Sequence, residues 1–88
     1  MTVFAVINAS NPTGLTQALN IHFPGNYLQI APTEWLVAAL GVTAKDVSDK
    51  LGITEGTSGS AIVLTTAGYF GRAPNNVWEW LSAKIQQS

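Results

Sequence analysis

Residues Tyr27 to Leu40 read YLQIAPTEWLVAAL, and the way this run divides decides the fold. Pro32 has no amide hydrogen, so it cannot lie inside a central strand. The run therefore splits into two strands around the connection Ala31-Pro32-Thr33. The first arm, Tyr27–Ile30, alternates and reads as an edge strand. The second, Glu34–Leu40, is almost wholly apolar and reads as a central strand covered on both faces. So short a connection makes the pair a tight antiparallel hairpin, because parallel neighbours need a long crossover.

Upstream of the hairpin, Thr2–Asn8 (TVFAVIN) is rich in β-branched and aromatic residues and reads as a strand. Val3, Ala5 and Ile7 fall on one face, Phe4 and Val6 on the other. A strand apolar on both faces is central and covered on both sides. Asn8-Ala9-Ser10-Asn11-Pro12 turns the chain into a helix, with Pro12 at the first helical position and Asn11 or Ser10 as cap. Leu15, Ala18, Leu19 and His22 or Phe23 follow at helical spacing, Gly14 weakens the first turn, and Pro24-Gly25-Asn26 ends the helix.

Downstream, Thr43 and Asp46 form a capping box that opens a second helix. This helix points Val47 and Leu51 inward and stops at Gly52. Thr54–Ser60 is a polar, glycine-containing loop, Ala61–Thr66 a fourth strand, and Ala67–Pro74 an irregular extension. Asn75 or Asn76 caps a last helix from Val77 to about Gln86, with Val77, Trp80, Leu81, Lys84 and Ile85 on one side and Trp78 off that stripe. The order β-α-β-β-α-β-α matches, in its first six elements, an α+β ferredoxin-like fold: an antiparallel four-stranded sheet, here with an additional C-terminal helix. That fold places the first and third strands in the middle of the sheet, and these are the two most apolar strands. The second sheet face is covered either by the last helix or by the mate in a twofold dimer.

Composition narrows the function. The 88 residues make a single domain, 1–88. A chain this short buries roughly 60–65% of its unfolded surface, which leaves a thin margin of stability. It has no cysteine and one histidine, so disulfides and thiolate or imidazole-rich metal sites are ruled out. An oligomer is the remaining way to add buried surface, and a homodimer is expected. The cysteine-free composition fits a reducing compartment. No apolar run reaches the roughly 20 residues of a membrane span, and the N-terminus lacks the basic region of a signal peptide. A cytoplasmic protein without membrane contact is expected. Four basic residues against five acidic ones give a net charge of −1. No basic stripe emerges, which disfavours nucleic acid as a partner.

Three stretches are candidates for a site. Gly56, Thr57, Ser58, Gly59 and Ser60 offer consecutive backbone amides that can cradle an anion. The loop lacks the lysine of a P-loop and precedes a strand instead of a helix, so a plain connection competes with that reading. Tyr69, Phe70 and Arg72 join two aromatics to the only arginine, a combination suited to partner hot spots or base stacking. The competing reading anchors the aromatics on the sheet and leaves Arg72 in solvent. Trp78 and Trp80 flank Glu79 on the last helix; Trp80 reads as core, and Trp78 as partly exposed or at an interface. His22 is the only base that titrates near neutrality, and its place at a helix end favours a structural role. The acids Glu34, Asp46, Asp49, Glu55 and Glu79 do not cluster by spacing, so neither a catalytic set nor a metal site nor a cofactor is expected.

The segments Thr2–Asn8, Glu34–Val37, Thr43–Leu51 and Ala61–Thr66, and most closely Thr33-Glu34-Trp35-Leu36-Val37, resemble small ferredoxin-like proteins related to the CRISPR-adaptation subunit. The resemblance covers about half of the chain. It implies a homodimer and, for some members, a metal-dependent nuclease with an aspartate at the end of the first strand. Asn8 stands at that position, and its neutral oxygen does not supply the charge that holds a divalent ion. The expectation is thus a non-catalytic interaction module binding a protein partner or a small ligand through Tyr69, Phe70, Arg72 and Trp78. Nucleotide or oligonucleotide binding is the second reading. A phosphodiesterase using Asn8, His22 and nearby acids is the third.

Overall fold

The computed structural model describes residues 1–66 and 75–86. The elements are β1 (Thr2–Ile7), α1 (Pro12–His22), β2 (Tyr27–Ala31), β3 (Glu34–Ala39), α2 (Ala44–Leu51), β4 (Ile62–Thr65) and α3 (Asn75–Gln86). Each lies within two residues of its sequence expectation. The extension over 67–74, with Tyr69, Phe70 and Arg72, lies outside the described residues.

The strands form one open antiparallel sheet in the order β2-β3-β1-β4. β1 and β3 are inside and β2 and β4 at the edges, as their apolar content indicates. α1 joins the parallel strands β1 and β2 with β3 between them, and α2 joins β3 and β4 with β1 between them. Pro32 sits in the hairpin turn, and the β2–β3 register shifts between Gln29 and Ala31.

Strand alternation sends Phe4 and Val6 from β1, and Trp35, Val37 and Ala39 from β3, to the face under α1 and α2. There they pack with Leu15 and Leu19 of α1, Val47 and Leu51 of α2, and Phe23. Each fully buried aliphatic contributes about 1.5–3 kcal/mol. The other face gathers Val3 of β1, Leu36 of β3 and Leu81 of α3, with Ala5, Val77, Trp78 and Trp80 against them. α3 thus covers this face within one chain, over β1 and β2, and Lys84 fastens it by donating to Asn26 Oδ1 at 2.9 Å.

Local chemistry fixes the helix ends. Asn11 caps α1 by accepting from the Gly14 amide at 3.2 Å, and Pro12 takes the first turn. Thr43 Oγ1 accepts from the Asp46 amide at 3.2 Å, while Asp46 accepts from the Thr43 amide at 2.8 Å, which completes the expected capping box. The Thr43 amide and, at 3.0 Å, the Thr43 hydroxyl both reach Asp46 Oδ2 and hold its carboxyl below its ordinary range. Asp49 is lowered as well, mainly by the Lys45 ammonium at 2.8 Å. Tyr27 donates its hydroxyl to Asn20 and so links β2 to α1.

Candidate functional site

Asn8 is the only described non-glycine residue with positive φ, at 58°. Asparagine tolerates the left-handed region better than most residues, so Asn8 serves the turn out of β1. Among the described residues, no three His, Asp or Glu side chains are grouped to hold a metal ion. No helix there is long and apolar enough to cross a membrane.

The loop from Gly56 to Ser60 differs from the cradle that its composition suggests. The amide of Gly56 donates to Ile53 O at 3.1 Å, that of Ser58 to Gly52 O at 3.0 Å, and that of Gly59 to Gly56 O at 3.1 Å. The Ser60 amide donates to Ser10 Oγ at 2.8 Å, and the Ser10 amide returns a bond to Ser60 O at 2.9 Å. Four of the five amides are therefore engaged within the protein. Three of these bonds are closed by local turns, and the fourth by the contact of Ser60 with Ser10. The reciprocal pair also pins the loop to the turn between β1 and α1.

Trp78 is half-buried and packs against the Val3–Leu36–Leu81 cluster. Helical spacing alone puts it off the apolar stripe; its long indole reaches the sheet from the helix flank. Trp80, expected in the core, is half-buried beside it, and Ile85 is exposed.

α3 does not cover the second face as far as β4. Ile62 is 50% exposed and Leu64 47% exposed. They lie on the same face as Ala5 and Ile7, with which they are paired in register. The result is a short apolar strip along an edge strand, beside a face that is otherwise closed.

On the opposite side of the sheet, α1 and α2 leave a groove of about 470 Å³. One wall is a stripe of α1: Asn11, which caps it, then Gly14, Gln17, Ala18, Ile21 and His22. The other is the end of α2 and its loop: Lys50, Leu51, Gly52, Thr57 and Ser58. Sequence reading singled out His22, Thr57 and Ser58 separately and did not bring them together. Lys50 also approaches the Phe23 ring at 6.0 Å, near the outer limit of a cation–π contact.

No protein-family profile, curated protein or solved structure matches the chain. The reading of its function rests on these two surfaces.

Proposed function

We propose that this protein is a non-catalytic interaction module with a ferredoxin-like fold, working as a homodimer in the cytoplasm and offering its remaining surface to a protein partner or small ligand. The observation that carries the dimer is the apolar strip of Ile62 and Leu64 on β4. Exposed aliphatics scattered singly mean little, but two adjacent ones continuing a buried apolar face mark a contact surface. Sparse charge supports the same reading, since only nine of 88 residues are charged and the described part of β4 has no lysine or glutamate to keep another copy away. The fold assignment draws support from the two crossovers, α1 and α2, each joining parallel strands with a third strand between them.

Sedimentation velocity on the untagged protein tests the dimer. A concentration-dependent dimer is expected, and Leu64→Glu should shift it to monomer while leaving far-UV circular dichroism unchanged. A wild-type protein that stays monomeric at hundreds of micromolar overturns the proposal.

A further inference from the structure

Two glycines, one in the first turn of α1 and one at the left-handed end of α2, shape the groove between these helices. Gly14 is in the first turn of α1, where glycine is a poor helix former. A Cβ at that position would lie 2.5 Å from Asn11 Nδ2. Gly52 ends α2 with φ +76°, and a Cβ there would lie 2.9 Å from Ser58 Oγ. The missing side chains on the groove floor thus make room for two polar groups, one on each wall. Asn11 is held by its capping bond, and Ser58 by its amide bond to Gly52 O.

These groups are also unengaged. Asn11 Nδ2 and Ser58 Oγ have no hydrogen-bond partner among the described residues, nor do the side chains of Gln17, Thr57 and His22. The charge is one-sided. The chain has more acids than bases, yet the groove is lined by Lys50 and His22 and by no carboxylate. On α2 the acids face other partners, Asp46 bonding Thr43 and Asp49 pairing with Lys45. Glu55 belongs to the same loop but does not line the groove. The volume falls within the range of small-molecule sites.

We propose that this groove binds a small hydroxylated oxyanion, of the size of a phosphorylated or carboxylated triose. Lys50 holds the anionic head as a point charge, while Asn11 and Ser58 hydrogen-bond the neutral oxygens. The site does not depend on the dimer proposed above, because it lies on the helical side of the sheet, away from Ile62 and Leu64.

The test is a ¹H–¹⁵N NMR titration of the full chain with glycerol 3-phosphate at constant ionic strength, with sodium chloride and glycerol as controls. Saturable shifts are expected at the amides of Gly14, Gln17, Gly52 and Ser58. A dissociation constant on the order of 1 mM suits one exposed ammonium and a few neutral donors. Lys50→Gln should weaken binding at least fivefold without changing the thermal midpoint. Lys45→Gln, on the same helix but outside the groove, should not weaken it. Gly14→Ala should also weaken binding, by displacing the Asn11 amide, while the fold persists. The proposal is overturned by shifts that do not saturate, by equal losses in Lys50→Gln and Lys45→Gln, or by glycerol or chloride reproducing the same shifts.

Discussion

The two faces of the sheet are built from the same two central strands but finished differently. Under α1 and α2 the centre is closed off: Phe4, Val6, Trp35, Val37, Leu19, Val47 and Leu51 have no exposed surface, and only peripheral residues such as Tyr27, Ile53 and Val63 are half-buried. Under α3 only Val3, Leu36 and Leu81 form a buried cluster, and β4 leaves Ile62 and Leu64 half in water. The same alternation along β1 feeds both faces, so strand chemistry does not explain the difference. What differs among the described residues is the number of helices: two cover the first face, and one, lying over β1 and β2, covers the second. The first face holds the larger buried cluster, and the second leaves apolar surface of β4 in water.

This comparison is tested most strongly by making the same truncation on each side. Leu19→Ala removes a side chain from the closed face and should cost about 3–5 kcal/mol, in the upper part of the range for buried leucines. Leu81→Ala, at the thinner α3 interface, should cost about 1–2 kcal/mol, because water and side-chain movement relieve much of the cavity. Urea denaturation of both variants measures the difference. Equal losses would show that α3 is as integral to the core as α1, and the asymmetry between the faces would be lost.

Much of the closed face is legible in the sequence. Val3 to Ile7 is apolar at every position, so β1 has to lie in the middle, and Pro32 forces the hairpin. Thr43, Asp46 and Gly52 mark both ends of α2 by local bonds. The groove is not legible in this way, because its walls belong to helices about forty residues apart, and only the packing of α1 on α2 brings Asn11 and Gly14 opposite Gly52 and Ser58. One signal was available, a glycine placed where α1 should begin firmly. The bonding of the loop amides is not legible either, because composition shows donors but not the turns and the Ser10 hydroxyl that occupy them. Trp78 is half-buried, in keeping with its place off the apolar stripe, whereas Trp80, on the stripe, is half-buried too, because spacing gives Cβ directions and not how deep a single covering helix buries them.

A smaller effect sharpens the account of the closed face. Thr43→Ala deletes the acceptor for the Asp46 amide and should cost about 1 kcal/mol, the usual value of a helix cap. If α2 is held by Val47 and Leu51 more than by its cap, the loss will lie below that and the fold will remain intact. Acid adds a second reading of the same helix. Asp46 and Asp49 are both lowered from 3.8, so their stabilising contribution is complete above that pH and disappears as pH falls through their folded values. Stability should therefore decline below about pH 4, and Asp46→Asn should flatten that decline. A wild-type protein whose midpoint does not change from pH 5 to pH 2 would show that the capping box contributes nothing in solution.

The smallest expected effect lies at the centre of the closed face. Trp35 has no exposed surface, and its Nε1–H has no hydrogen-bond partner among the described residues. Burying such a donor without an acceptor costs roughly 1–3 kcal/mol. Trp35→Phe removes that cost but also removes packed volume, a loss of similar size and opposite sign. The two should nearly cancel, leaving a net change under about 1 kcal/mol, far less than the truncation of Leu19. A loss of several kcal/mol would mean that the indole N–H is satisfied in solution by an internal water. A clear gain would mean that the closed face is the more strained of the two, with α1 and α2 packed over a donor that the fold accommodates at a net cost.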